Sequence, residues 1–152
     1  MEEGIREASG FTEACREKLG LKKQDAGIYS PLALAYLGDA VYELVIRTLV
    51  MNRGNMQVNK MNRRTSGLVK AKAQADIIRL LEEELTEEER AVFRRGRNAK
   101  SMTMAKNASV IDYRMATGLE ALTGYLYLTE QFDRLLELIS RGLKKIGELE
   151  AE

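Results

Sequence analysis

The sequence has no histidine and only one cysteine among its 152 residues. Without histidine, neither Cys–His catalysis nor a zinc site built on imidazole is available. The single Cys15 cannot form an internal disulfide, and no apolar run reaches the roughly 18 residues that a membrane helix needs. The acidic start, Met1-Glu2-Glu3, differs from a secretory signal peptide. These absences predict a cytoplasmic protein that does not enter a membrane, and the length of 152 residues predicts one domain.

Apolar residues recur at helical spacing along most of the chain, and no stretch alternates as a strand would. We therefore predict an all-α fold of about seven helices. The clearest start is Ser30-Pro31, a Ser cap followed by proline at the first helical position, which opens a helix to about residue 52. We expect a leader over residues 1–27 that packs on the body, a body over 28–147 and a frayed tail over 148–152. Further helices are expected at about 56–65, 67–84 with Ser66 as cap, 86–95, 111–127, and 130–146 with Thr129 as cap; residues 96–109 are expected to form a loop.

The net charge of +1 conceals two basic blocks. No acid occurs between Glu43 and Asp76, and none between Arg90 and Asp112. Basic blocks separated from acidic ones predict a face that binds a polyanion. The candidate contacts are Lys60, Arg63, Arg64, Lys70 and Lys72 in the first block, and Arg94, Arg95, Arg97, Asn98, Lys100, Ser101 and Lys106 in the second.

Two mostly apolar helices each carry a carboxylate near glycine: Asp39 follows Gly38, and Glu120 lies between Gly118 and Gly124. Glycine inside a helix is usually kept where another backbone comes close. If the helices cross near Gly38 and Gly118, Asp39 and Glu120 face one another. Two such carboxylates repel, and one takes up a proton unless a divalent cation neutralises them. Oxygen-only ligands suit Mg²⁺.

A plainer interpretation of the same residues exists. Asp39, Glu43 and Arg47 follow one another at intervals of four, as the charges of a solvated helix face do. Residue spacing alone leaves both interpretations open.

Three segments together resemble a known family. Leu37-Gly38-Asp39-Ala40-Val41 with Glu43-Leu44 resembles the signature helix of the ribonuclease III family, and residues 120–128 (EALTGYLYL) resemble its second acidic helix. Residues 94–101 (RRGRNAKS) are typical of the bacterial Mini-ribonuclease III group, a catalytic domain without the double-stranded-RNA-binding domain. The resemblance covers about residues 25–145. The broader family's extra acids are missing at residues 32–35 and at Thr117, which leaves Asp39 and Glu120 as the residues that match its site.

The resemblance implies a Mg²⁺-dependent endoribonuclease of double-stranded RNA that leaves 5′-phosphate and 3′-hydroxyl ends. It implies Asp39 and Glu120 as catalytic metal ligands and the two basic blocks as RNA contacts. It also implies a homodimer and a role in maturing the large-subunit (23S) ribosomal RNA precursor, with a ribosomal protein as a candidate for presenting the RNA. Candidate interface residues are Tyr36, Tyr42, Val45, Leu126 and Tyr127.

Two alternatives remain at this point. A non-catalytic RNA-binding module of a ribonucleoprotein would account for the basic blocks and the thinned acidic set. A helical protein-interaction adaptor would account for the apolar helices but would leave both basic blocks without a role.

Overall fold

A computed structural model describes residues 10–100 and 109–150, and these residues form seven α-helices and no strand. The all-α prediction and the number of helices are thereby confirmed. The helices are α1 Phe11–Leu19, α2 Pro31–Asn52, α3 Val58–Val69, α4 Ala71–Leu81, α5 Glu87–Asn98, α6 Val110–Leu128 and α7 Phe132–Lys145, with single 3₁₀ turns at Ala26–Ile28 and Glu82–Glu84.

Helix α6 is the centre of the fold. Ten of its nineteen residues are buried, because α2, α4 and α5 pack around it and α7 covers one end. A helix that is apolar on all sides must lie inside the protein. Because the second acidic segment lies on this helix, Glu120 belongs to the central helix of the fold.

Three helices begin where short polar side chains can accept from free backbone N–H groups. The Ser30 hydroxyl accepts from Ala33 N at the start of α2, which confirms the predicted start. Thr86 and Glu89 form a reciprocal capping box at the start of α5. Ser109 caps α6 by accepting from Asp112 N. These helix starts depend only on local sequence, and they set the residues at which the three helices begin.

Other helix ends differ from prediction. The chain turns between α3 and α4 at Lys70, whose ψ is 154°, and not at Ser66, which is helical. Helix α5 continues to Asn98, so the loop expected from residue 96 begins later. Thr129 does not open α7; its hydroxyl donates to the Tyr125 carbonyl and closes α6. In each case the local signal was weaker than a tertiary or preceding-turn contact.

Both described ends of the chain are held to the body. On α1, the Thr12 hydroxyl donates to the Tyr127 carbonyl, and Arg16 pairs with Glu130 at 3.1 Å. At the other end, Arg53 pairs with Glu148 at 3.5 Å, so the tail expected to fray from residue 148 is still fixed there. No helix in the described part of the chain is long and apolar enough to cross a membrane.

Candidate active site

The site is built where α2 and α6 cross with their backbones almost in contact. A Cβ at Gly38 would lie 1.7 Å from the carbonyl oxygen of Glu120, and a Cβ at Gly124 would lie 2.1 Å from the carbonyl oxygen of Leu34. Real Cβ atoms do not approach other atoms that closely, so both positions require glycine. The expected crossing is therefore present, but its glycines are Gly38 and Gly124.

Gly118, which we expected at this crossing, packs instead against α5. A Cβ there would lie 2.6 Å from the ring of Phe93, so Gly118 admits the aromatic side chain of α5. The prediction was wrong in this detail because three helices surround α6, and spacing alone does not tell which neighbour each glycine serves.

The crossing brings the carboxyl groups of Asp39 and Glu120 together. Asp39 is exposed, whereas Glu120 is half-buried. Burial raises the pKa of Glu120 to about 8, and the neighbouring Asp39 carboxyl adds to the rise. At neutral pH in the absence of a cation, the pair therefore holds a proton on Glu120. Such a pair takes up a positive charge readily, either as a proton or as a metal ion.

Gln74 also belongs to this site, and sequence reasoning missed it. Its side chain is 2% exposed, its Nε2 donates to the Val69 carbonyl at 2.8 Å, and its Oε1 is buried without a hydrogen-bond partner. Its amide also lies beside the Glu120 carboxyl, where hydrogen bonding opposes the rise in that group's pKa. A signal was available, because residue 74 is polar and shares a helix face with the core residues Ile78 and Leu81.

Tyr42 also lies near Glu120, and its hydroxyl holds the end of α3 next to the α3–α4 turn. The side chain is fully buried, and its hydroxyl donates to the Leu68 carbonyl at 2.9 Å. Burial, and then the charge of Glu120, raise the pKa of Tyr42, so the hydroxyl remains a donor. The carbonyls of Leu68 and Val69 are thus both held by buried side chains next to Glu120.

The donor set fits Mg²⁺. Two carboxylates and a buried amide oxygen without a partner are hard oxygen groups, which Mg²⁺ prefers, and this ion keeps several of its waters. Among residues 10–100 and 109–150, no cluster of three or more acidic or cysteine side chains could hold a metal ion. The carboxylate ligands of an ion at this site would therefore be Asp39 and Glu120.

The described residues among the predicted RNA contacts lie on α3, the α3–α4 turn, α4 and α5, with Lys100 just after α5. Lys60, Arg63, Arg64, Lys70, Arg94, Arg95 and Lys100 are exposed. Lys72 pairs with Asp76 at 3.1 Å. Arg97 lies over the Phe93 ring at 5.6 Å, and its Nε donates to Asn98 Oδ1 at 3.2 Å. Ser101 and Lys106 lie outside the described residues.

An apolar groove between α2 and α7 is open to solvent. It encloses about 440 Å³ and is lined by Phe11, Leu37, Ala40, Val41, Leu44, Val45, Tyr127, Phe132, Leu135 and Leu136. Of the predicted interface residues, Val45 and Tyr127 lie here. Tyr42 and Leu126 are instead core residues, and Tyr36, which is 84% exposed, lies outside this lining.

Comparisons with known proteins agree on one family. The Ribonuclease III domain family matches residues 32–131. The chain is 53% identical over 119 residues to the Mini-ribonuclease 3 of Enterococcus faecalis, covering 77% of this chain and 90% of that protein. It is 52% identical over 118 residues to the Mini-ribonuclease 3 of Clostridium tetani, covering 77% and 78%. The X-ray structure of a Fusobacterium nucleatum protein matches with a TM-score of 0.71 and 32% identity, over 77% of this chain and 90% of that one. The chain therefore belongs to the ribonuclease III domain family and, within it, to the Mini-ribonuclease 3 endoribonucleases.

Proposed function

We propose that Asp39 and Glu120 together hold a Mg²⁺ ion with which this endoribonuclease hydrolyses double-stranded RNA. The observation that carries the proposal is the meeting of the two carboxyl groups at the glycine crossing, with the pKa of Glu120 raised to about 8. Bringing these groups together costs stability, and a divalent cation would offset that cost. The same juxtaposition argues against the non-catalytic RNA-binding alternative.

The chemistry requires little from the side chains beyond positioning. When bound, Mg²⁺ would supply a water of lowered pKa and stabilise charge on the phosphate oxygens. Glu120, which is half-buried, would hold the ion together with Asp39, and its carboxyl would have to give up its proton to do so. Asp39, on the exposed side, faces the approach of the RNA. The expected products carry 5′-phosphate and 3′-hydroxyl ends.

The exposed cations of α3, the α3–α4 turn and α5 are the proposed RNA contacts. Duplex RNA is recognised mainly through phosphates, 2′-hydroxyls and shape, for which lysine and arginine are suited. Arg94, Arg95 and Lys100 are exposed, and Lys70 lies at the turn next to Val69, which Gln74 holds. Ser101 and Lys106 remain part of this proposal from sequence alone.

We also propose that the active form is a homodimer whose subunits meet at the apolar groove. Leu44 at 65% and Phe11 at 70% are more exposed than a monomer's apolar side chains need be. A groove of this chemistry fits a second copy, because large exposed apolar patches usually mark association surfaces. Its nearness to α2 would place both active sites on one assembly, one for each RNA strand.

The proposed substrate is the precursor of large-subunit (23S) ribosomal RNA, which places the enzyme in the bacterial cytoplasm. Residues 28–147 form the proposed catalytic domain, with the leader packed on it. A ribosomal protein that presents the RNA is the proposed partner.

The test is cleavage of a duplex RNA of about thirty base pairs at low salt, with Mg²⁺ or with EDTA. Wild-type protein is compared with Asp39→Asn, which removes a charge without changing side-chain size. Cuts in both strands that require Mg²⁺ and are lost in the variant support the proposal. Equal cleavage by the variant would overturn it.

A further inference from the structure

Gln74 is the one buried polar side chain of α4, and its bond to the Val69 carbonyl leaves its acceptor oxygen, Oε1, without a partner. Its neighbours Ala73 and Ala75 are buried, as are Ile77 and Ile78 on the same helix. A buried amide that leaves an acceptor unpaired costs about 1–3 kcal/mol relative to a fully paired one. The bond to Val69 accounts for the amide nitrogen but not for the unpaired Oε1, so the buried acceptor needs a further explanation.

Two of the three polar contacts of this amide can be assigned. Nε2 donates to the Val69 carbonyl at 2.8 Å, at the end of α3. The same side chain lies beside the Glu120 carboxyl. An amide NH₂ has two protons, so it can bridge one carbonyl and one carboxylate. Oε1 is the acceptor left over, and no described residue donates to it.

We propose that Gln74 is a positioning residue for the metal site, which orients the Glu120 carboxylate and whose free Oε1 accepts from water brought by the hydrated ion. The inference rests on the proposed Mg²⁺ site. Its support is geometric: an amide that is 2% exposed is anchored to the Val69 carbonyl, lies beside the Glu120 carboxyl, and keeps a buried acceptor, Oε1, without a partner. Side chains that orient a metal ligand commonly change metal affinity or activity by 10–100-fold.

The first test uses Mn²⁺, which also prefers oxygen ligands, as a probe of the RNA-free protein. The free ion is measured by electron paramagnetic resonance. Gln74→Met keeps the side-chain length and removes both amide functions. We expect it to weaken Mn²⁺ binding about tenfold or more and to raise the Mg²⁺ concentration for half-maximal cleavage by a similar factor. Duplex binding in EDTA should be unchanged.

The matched control is Thr123→Val, which removes another buried polar group close to Glu120 in sequence. The Thr123 hydroxyl donates to the Leu119 carbonyl and faces α4 through the apolar core, so Mn²⁺ affinity should stay at the wild-type value. A folded Gln74→Met variant that binds Mn²⁺ like wild type would overturn the proposal. Asp39→Asn separates the two claims: if it also binds Mn²⁺ normally, the metal site itself is wrong.

A second measurement needs no variant. Addition of Mg²⁺ to the wild-type protein should shift the side-chain NH₂ resonances of Gln74 in a ¹H–¹⁵N spectrum. Gln131, whose Nε2 donates to Thr129 Oγ1 at 2.7 Å near the protein surface, is the internal reference and should not shift. If the Gln74 signal stays in place while the ion binds, the proposed role is excluded.

Discussion

Gly38 of α2 lies directly against the backbone carbonyl of Glu120, so closely that a Cβ at residue 38 would be 1.7 Å from that oxygen. This contact fixes both the depth of the crossing and the separation of the two carboxyl groups, because Asp39 follows Gly38 in the chain. The close packing of α2 on α6 and the proposed metal site therefore both depend on Gly38. Substitution there should damage the fold before it damages catalysis.

The first prediction concerns that contact. Gly38→Ala should lower the free energy of unfolding by about 4 kcal/mol or more, or prevent folding, because the methyl group would meet backbone atoms that cannot move aside. Thermal and urea unfolding followed by circular dichroism measure it. Gly67→Ala is the control: no atom lies within 4 Å of a Cβ there, and alanine in an exposed helix should add about 0.5–1 kcal/mol. Equal stability of the two variants would contradict the close crossing.

The second prediction follows from the raised pKa of Glu120. Without metal, the folded protein keeps a proton on Glu120 that the unfolded chain releases near pH 4.5. This group's contribution to the free energy of unfolding therefore falls as pH rises from about 4.5 to about 8, and levels off above that.

Thermal unfolding in EDTA across this range checks the effect. Glu120→Gln cannot ionise, so its midpoint should fall less steeply with pH than that of wild type, all other groups being common to both. In Mg²⁺, the stabilisation of wild type should grow with pH over the same window. If the unfolding midpoints of the two proteins in EDTA changed equally with pH, the pKa of Glu120 would not be raised as described.

The third prediction concerns RNA binding by the exposed cations. Replacing Arg94 and Arg95 together with glutamine should weaken duplex binding and reduce the slope of log affinity against log salt by about one to two. Filter binding in Ca²⁺ or EDTA at several salt concentrations measures both quantities. Lys18→Gln, an exposed cation on α1 outside the two basic blocks, should leave the slope unchanged. An unchanged slope in the double variant would remove this part of α5 from the RNA-binding face.

The fourth prediction concerns the apolar groove between α2 and α7. Leu44→Glu places a charge in its lining and should convert a dimer to a monomer, because the buried charge would have no partner. Sedimentation velocity at micromolar protein concentration distinguishes the two states. Val58→Glu alters an equally exposed apolar residue that does not line the groove, and it should not affect assembly. A wild-type protein that sediments as a stable monomer would sink the dimer proposal.

Much of the architecture could be predicted from local patterns. Ser30-Pro31 and the Thr86–Glu89 capping box start their helices through bonds within four residues, so the sequence alone suffices there. The breaks expected at Ser66 and Thr129 were mispredicted, because other local contacts replaced the predicted caps: the Thr129 hydroxyl donates back to the Tyr125 carbonyl. Ser66 is simply absorbed into α3, while the chain turns at Lys70, where Gln74 reaches back to the Val69 carbonyl.

Parts of the candidate site, like parts of the fold, could be predicted from the sequence, and other parts could not. By itself, the sequence determined the all-α class, the segregated basic blocks and the two carboxylates near glycine, since each is a property of spacing along one helix or one segment. Only the tertiary structure decided that Gly124, and not Gly118, meets Gly38, and that Gln74 lies beside Glu120. These relationships join residues 46 and 86 positions apart, and helical periodicity states which residues share a face without stating which helix that face will meet.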